Sequence, residues 1–220
     1  MRRLLVLASA VVFLDVTFFS VLTPLLPSYK EDLGLSDGSA GVLAGSFAAG
    51  ALVFAIPAGW LVARIGARPT VIIGLVGIGI CSPLFGFAKD VVVLDILRFL
   101  QGGTGALMWA GAISWVVVSA PAGRRGEMLG IVIAAAVSGE LLGAPLGAAA
   151  HAIGTEIVFS TVFVAAAILL LIALGIPGAK DVESQALGEA WRKIRRSGVP
   201  GGVVMLAVPS VAFGLAVVVG

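Results

Sequence analysis

The run from 91 to 118, VVVLDILRFLQGGTGALMWAGAISWVVV, decides what kind of protein this is. It holds only two ionisable side chains, Asp95 and Arg98, and no proline. At ~1.5 Å per residue, about 20 such residues cross the ~30 Å hydrocarbon core of a bilayer. A strand of that length would leave its backbone unpaired in lipid, so the run reads as a transmembrane helix.

Six further apolar runs of similar length surround it, at 4–26, 39–63, 70–88, 128–150, 155–176 and 201–220. The breaks between runs carry turn chemistry: Pro27, Gly34 to Gly38, Ile65 to Pro69, Lys89-Asp90, Pro121 to Gly126, Gly154 and Pro177-Gly178. Composition agrees. Of 220 residues 60% are apolar and 12% charged, with a mean hydropathy of +1.14. Soluble domains carry ~25% charge, and disordered chains still less apolar content, so both are excluded. A single cysteine, Cys81, excludes an intrachain disulfide and any thiolate metal cage, and no metal site is expected. The net charge of +2 gives no ground for a nucleic-acid partner.

Basic residues set the orientation. Arg2, Arg3, Arg64, Arg68, Arg124, Arg125, Lys180, Arg192, Lys193, Arg195 and Arg196 fall at the N-terminus and in alternate loops, whereas the intervening loops hold Lys30 and Lys89. The positive-inside rule puts the N-terminus in the cytoplasm of a multi-pass protein of the cell (inner) membrane. Ala8-Ser9-Ala10 resembles a signal cleavage site, but it would leave an apolar core of about four residues, short of the ~7–15 required. The segment 181–196 places Val182, Ala186, Leu187, Ala190, Trp191 and Ile194 on one helical face with basic residues at its end. It reads as an amphipathic helix on the anionic leaflet, with a solvated linker as the alternative.

Pro57-Ala58-Gly59 and Pro145-Leu146-Gly147 recur 88 residues apart, and span centres repeat at that offset, first to fourth, second to fifth and third to sixth. Three crossings are an odd number, so the second triplet is inverted, as in many secondary transporters. Besides Asp95 and Arg98, the spans hold Asp15 and Glu140. Each costs at least ~2.5–3.5 kcal/mol if it faces lipid at mid-helix, which assigns each to protein or water. Asp15, Arg98 and Glu140 fall at similar depths near mid-membrane. The arginine can neutralise one acid; a second would bind a proton or a cation, which is the minimum of an antiporter. Asp95 and Arg98, at i and i+3, could instead pair along their own helix. Phe18 and Phe19 share the face of Asp15, and Arg98, Gln101, Gly102, Gly105 and Trp109 form one stripe, together suggesting a pocket for a lipophilic small molecule. Gly139, Gly143 and Gly147, and likewise Gly41 and Gly45, have the small-xxx-small spacing of close helix crossings.

These residues resemble the N-terminal half of a major facilitator superfamily transporter of the drug:proton antiporter branch, over about residues 10–176. Gly59-Trp60-Leu61-Val62-Ala63-Arg64-Ile65-Gly66-Ala67-Arg68 is similar to the signature Gly-x-Leu-Ala-Asp-Arg-x-Gly-Arg-Lys, with Ala63 in place of the acid. Arg98 through Gly105 resembles Arg-x-x-Gln-Gly-x-x-Gly. The run from Gly130 to Gly139, with Gly143-Ala144-Pro145-Leu146-Gly147, resembles the antiporter motif, its proline one place late. Leu14-Asp15-Val16-Thr17 with Pro24 and Pro27 resembles the first helix of drug exporters.

The resemblance implies an all-α six-helix bundle of two inverted three-helix repeats (1–176), a cytoplasmic linker (177–200) and a seventh transmembrane segment (201–220) opening a second bundle. It implies alternating access and proton-coupled efflux of small amphiphilic or drug-like compounds. The proton gradient supplies the energy, no cofactor is called for, and the C-terminal half is the expected partner. Asp15, Arg98 and Glu140 would couple protons, and Phe18, Phe19, Gln101 and Trp109 would line the pocket. Gly59, Arg64, Gly66, Arg68, Gly139, Gly143, Pro145 and Gly147 would govern conformation. A non-transporting scaffold, or a half-transporter needing a partner half or dimerisation, is the alternative.

Two other readings fail on residues. A retinal protein needs a lysine in its last helix, and 201–220 has none. The Gly-x-Ser-x-Gly match at Gly34 to Gly38 precedes a helix without a preceding strand, so Ser36 or Asp37 reads as a cap and His151 as an interfacial side chain, not as catalytic groups. No enzyme is expected.

Overall fold

A computed structural model describes residues 1–121 and 123–177. The linker and the seventh segment expected at 177–200 and 201–220 lie outside them from residue 178 onward. The described residues form six helices: α1 Arg2–Leu33, α2 Asp37–Ile65, α3 Ala67–Phe87, α4 Val91–Ser119, α5 Arg125–Ile153 and α6 Thr155–Gly175. All six are long and apolar enough to cross a membrane.

Local chemistry fixes where they begin and end. Ser36 caps α2 by accepting from the Ser39 amide at 3.2 Å, and Asp90 caps α4 through the amides of Val92 and Val93. Gly34 ends α1 in the left-handed region at φ 62°, which a residue with a Cβ adopts only under strain. Pro27 does not end the first helix, contrary to the sequence reading: Pro24 and Pro27 both lie inside α1, which runs on to Leu33. Proline removes one ladder bond and crowds the preceding turn, but in a packed membrane helix the neighbours can re-satisfy the freed carbonyl. Hydroxyls within the helices bond their own backbone, as Thr17 to the Phe13 carbonyl and Ser46 to that of Val42.

Packing crosses the repeat. α1 lies along α5, and α2 along α4, while α3 joins α4 to α6. In lipid there is little hydrophobic drive between helices, so close backbone approach does the work. A methyl at Gly139 would come 2.7 Å from the Phe13 carbonyl, and one at Gly143 the same distance from that of Thr17; Gly147 meets Val21 and Pro24. The α5 spacing therefore forms the close crossing expected of it. On α2 the crossing belongs elsewhere. Gly45 has nothing within 4 Å, whereas Gly50 sits on the Phe99 carbonyl and Gly102 of α4 on that of Phe47. The core buries Trp115, Phe85, Phe159 and Leu43, and the outward faces are equally apolar, with Leu141 73% and Leu171 69% exposed.

Candidate functional site

The sequence stripe on α4 meets α1, and two polar groups are buried there. Arg98 is 2% exposed. Its Nη1 donates to the Phe18 carbonyl at 3.4 Å and to Gln101 Oε1 at 3.0 Å, and its Nη2 to the Phe19 carbonyl at 2.6 Å. The rings of Phe47, Phe19 and Phe85 stand 5.0, 5.6 and 6.0 Å from its guanidinium carbon. Gln101 passes the network on, donating to Ser82 Oγ on α3 at 3.4 Å. A guanidinium is a planar fork of donors, suited to splayed carbonyls and to aromatic faces. Arg98 is thereby engaged without an acid. Among the described residues it forms no ion pair with Asp15 or with Asp95, whose own Oδ1 has no hydrogen-bond partner there. The i, i+3 pairing is absent.

Asp15, 3% exposed, sits a turn away from that network on α1. Its Oδ2 accepts from Trp109 Nε1 at 3.0 Å, and its Oδ1 is buried with no hydrogen-bond partner among the described residues. Gly105 leaves room for the carboxylate: a Cβ there would lie 2.6 Å from Oδ1. Beside the acid opens a cleft of about 330 Å³ between α1, α2 and α4. Asp15, Trp109, Phe47 and the small residues Ala51 and Gly105 line it.

The expected pocket is only partly assembled as the sequence suggested. Trp109 lines the cleft. Phe18 turns inward to Phe159, 6.2 Å between ring centres, and Phe19 stacks on Phe47 at 4.8 Å. Gln101 is buried against Arg98 rather than facing the cleft. Glu140 is not brought to Asp15 and Arg98; it is exposed on α5, one residue round from the Gly139 contact. Phe47 was missed, although as the one aromatic side chain in the first half of the second run it was a visible candidate.

The family model for the Major Facilitator Superfamily matches residues 8–219. The chain belongs to the Major Facilitator Superfamily. It is 27% identical over 172 residues to the MFS-type transporter ppzB of Metarhizium majus, covering 76% of this chain and 37% of that protein. It is 30% identical over 151 residues to Multidrug resistance protein 1 of Bacillus subtilis, covering 69% and 38% respectively. The D-xylose-proton symporter structure superposes with a TM-score of 0.70 at 19% identity over 89% of this chain and 52% of the symporter, which shows the fold. The chain thus spans less than half the length of the curated relatives it matches here. It is a multi-pass membrane protein of a transporter superfamily, not of an enzyme family.

The superfamily's loop signature takes a particular form here. Gly66, at φ 94°, makes the corner between α2 and α3, and Gly59 has open space around it. Arg68 donates to the carbonyls of Ala173 and Leu174 at 3.0 and 2.6 Å, tying the corner to the end of α6. Arg64 lies 5.0 Å over the Trp60 ring. With Ala63 in the acid's place, both cations are held by backbone and ring. Pro145 lies inside α5 on its exposed side.

Proposed function

We propose that this chain provides one wall and the proton site of a secondary transporter that exports small amphiphilic, cationic compounds in exchange for protons. One observation carries the reading. Asp15 is buried beside an aromatic-lined cleft, forms no ion pair among the described residues although Arg98 stands about one turn away, and keeps one carboxylate oxygen without a hydrogen-bond partner there. A buried carboxylate that no cation contacts directly is costly, and a guanidinium one turn away offsets only part of that cost, so the site is more stable when it holds a proton or a cation. Trp109 and Phe47 line the cleft, the latter already in contact with Arg98 and Phe19, and the small residues between them leave space for a cation beside the acid. Competition between the two occupants for one oxygen gives exchange. Arg98, locked to α1 carbonyls, holds the acid's helix in register and tunes the field around it. Glu140 offers a second carboxylate on an open face of α5. The likeness to Multidrug resistance protein 1 supports an export direction and a drug-like substrate.

The test uses the protein expressed from its full reading frame and reconstituted in vesicles with an imposed proton gradient. Asp15→Asn keeps the shape and the Trp109 contact but cannot exchange a proton. Proton-driven efflux of a lipophilic cation such as ethidium should fall at least about tenfold and lose its dependence on pH. Efflux with an unchanged pH profile would overturn the proposal.

A further inference from the structure

At the end of the bundle where α1 begins and α6 finishes, the two helices part to leave a groove of about 560 Å³. Its walls include Val6 of α1 and Leu169, Leu171 and Ile172 of α6, and Arg2 and Arg3 stand at its mouth. The seam is open for a reason visible in the sequence. α3 approaches α4 closely because Gly74 and Gly111 admit Met108 and Val71, with a Cβ at either glycine coming 2.6 Å from them; α6 has no glycine before Gly175 and rests more lightly on α1. The outer wall is apolar and exposed, Val6 at 60% and Leu171 at 69%.

Charge adds a second, independent observation. The basic residues at this end are mostly engaged: Arg68 by α6 carbonyls, Arg64 by Trp60, and Arg124 by Glu127 at 2.7 Å. Arg2 and Arg3 form no ion pair among the described residues. Two free guanidinium groups over an apolar slot match a phosphate headgroup above an acyl chain, since arginine binds phosphate with paired donors and lipid tails solvate leucine and isoleucine equally well. The slot is within the ~300–1,000 Å³ of sites that hold small ligands. We infer that the α1–α6 groove is a binding site for an anionic phospholipid of the adjoining leaflet, its phosphate on Arg2 and Arg3 and one chain lying along Val6, Leu171 and Ile172.

The test is native mass spectrometry of the full-length protein in detergent, supplied with dioleoylphosphatidylglycerol or dioleoylphosphatidylcholine at equal concentration. The anionic lipid should be retained preferentially. Arg2→Gln and Arg3→Gln should each lower its retention about fivefold, the worth of one basic residue near an anionic surface. Arg125→Gln, at the same end but outside the groove, should leave retention unchanged, and Val6→Trp, which fills the slot, should lower it for both lipids. Equal retention of the two lipids overturns the inference, as does retention that ignores Arg2 and Arg3. The preference of the unaltered protein decides the matter if a variant fails to fold. Inorganic phosphate displacing the lipid as well as soluble phosphatidylglycerol does would reduce the site to a free-anion site and also overturn it. So would Val6→Cys cross-linking, with lipid present, to a cysteine placed within 178–200, since the chain itself would then fill the groove.

Discussion

The seam between α1 and α4 has two levels that handle charge in opposite ways. At the Arg98 level two α1 carbonyls, the Gln101 amide oxygen and three rings hold the two terminal nitrogens of the guanidinium, and its buried Nε alone has no hydrogen-bond partner among the described residues. At the Asp15 level one oxygen is bonded to Trp109 and the other is buried with no hydrogen-bond partner among the described residues, in a residue that lines the cleft. The first level fastens the two helices, and the second is the proposed proton site. On the proposed function, holding the two helices together and changing protonation are separated by about one turn. A charge fully wrapped by donors or acceptors stabilises one geometry, while a charge left partly unpaired responds to what arrives.

Substitutions at three residues press on that contrast. Arg98→Met should have the largest effect, because it strands the Gln101 amide oxygen and empties the space between three rings. Unmet buried polar groups cost ~1–3 kcal/mol each, so a loss of about 3 kcal/mol or more in unfolding free energy is expected, followed by SDS titration of the purified protein. Arg98→Lys should fall between, keeping charge without the fork. An unchanged midpoint for Arg98→Met would break the contrast by removing the fastening.

Gly105→Ala comes next. Its methyl would press on the Asp15 carboxylate, so transport should lose activity and shift its pH profile. Stability should move by no more than the ~1 kcal/mol typical of a point change, because no backbone atom is struck. A variant that unfolds while its residual transport keeps the original profile would show that the Asp15 level is structural too.

Glu140→Gln is the mildest. An exposed side chain away from a cap or network changes stability by ~0.5 kcal/mol or less, and the effect on efflux should be smaller than that of Asp15→Asn. A large loss of stability would place Glu140 inside the bundle's own support and redraw α5.

What could be read from sequence follows the physics of each feature. Six of the spans were legible because length and apolarity alone define them. The α4 stripe was legible because small and polar residues in an otherwise apolar helix mark a face turned from lipid, and Gln101, Gly102 and Gly105 are indeed buried. The α5 glycines were legible for the same reason. The direction of Phe18 was not, since aromatic rings suit lipid, core and pocket alike. Gly45 misled because spacing shows where a close approach is possible, not which helix comes to meet it. The hydrogen-bond partners of Arg98 were not legible either: charge counting points to acids, yet its direct bonds go to Gln101 and to backbone carbonyls of α1. Pro27 read as a stop because the rule for water-soluble helices was applied where packed neighbours relax it.

The exchange of partners between the two repeats has a consequence for how the chain is made. Thr17 of α1 packs on Gly139 of α5, and Gly50 of α2 on Phe99 of α4. As the protein leaves the ribosome, its first helix enters the bilayer with its mate not yet synthesised. Asp15 must wait in lipid or beside the insertion machinery until α4 brings Trp109. Neither repeat can then mature alone, and a gene cut after α3 would yield two fragments, each holding the surfaces the other needs.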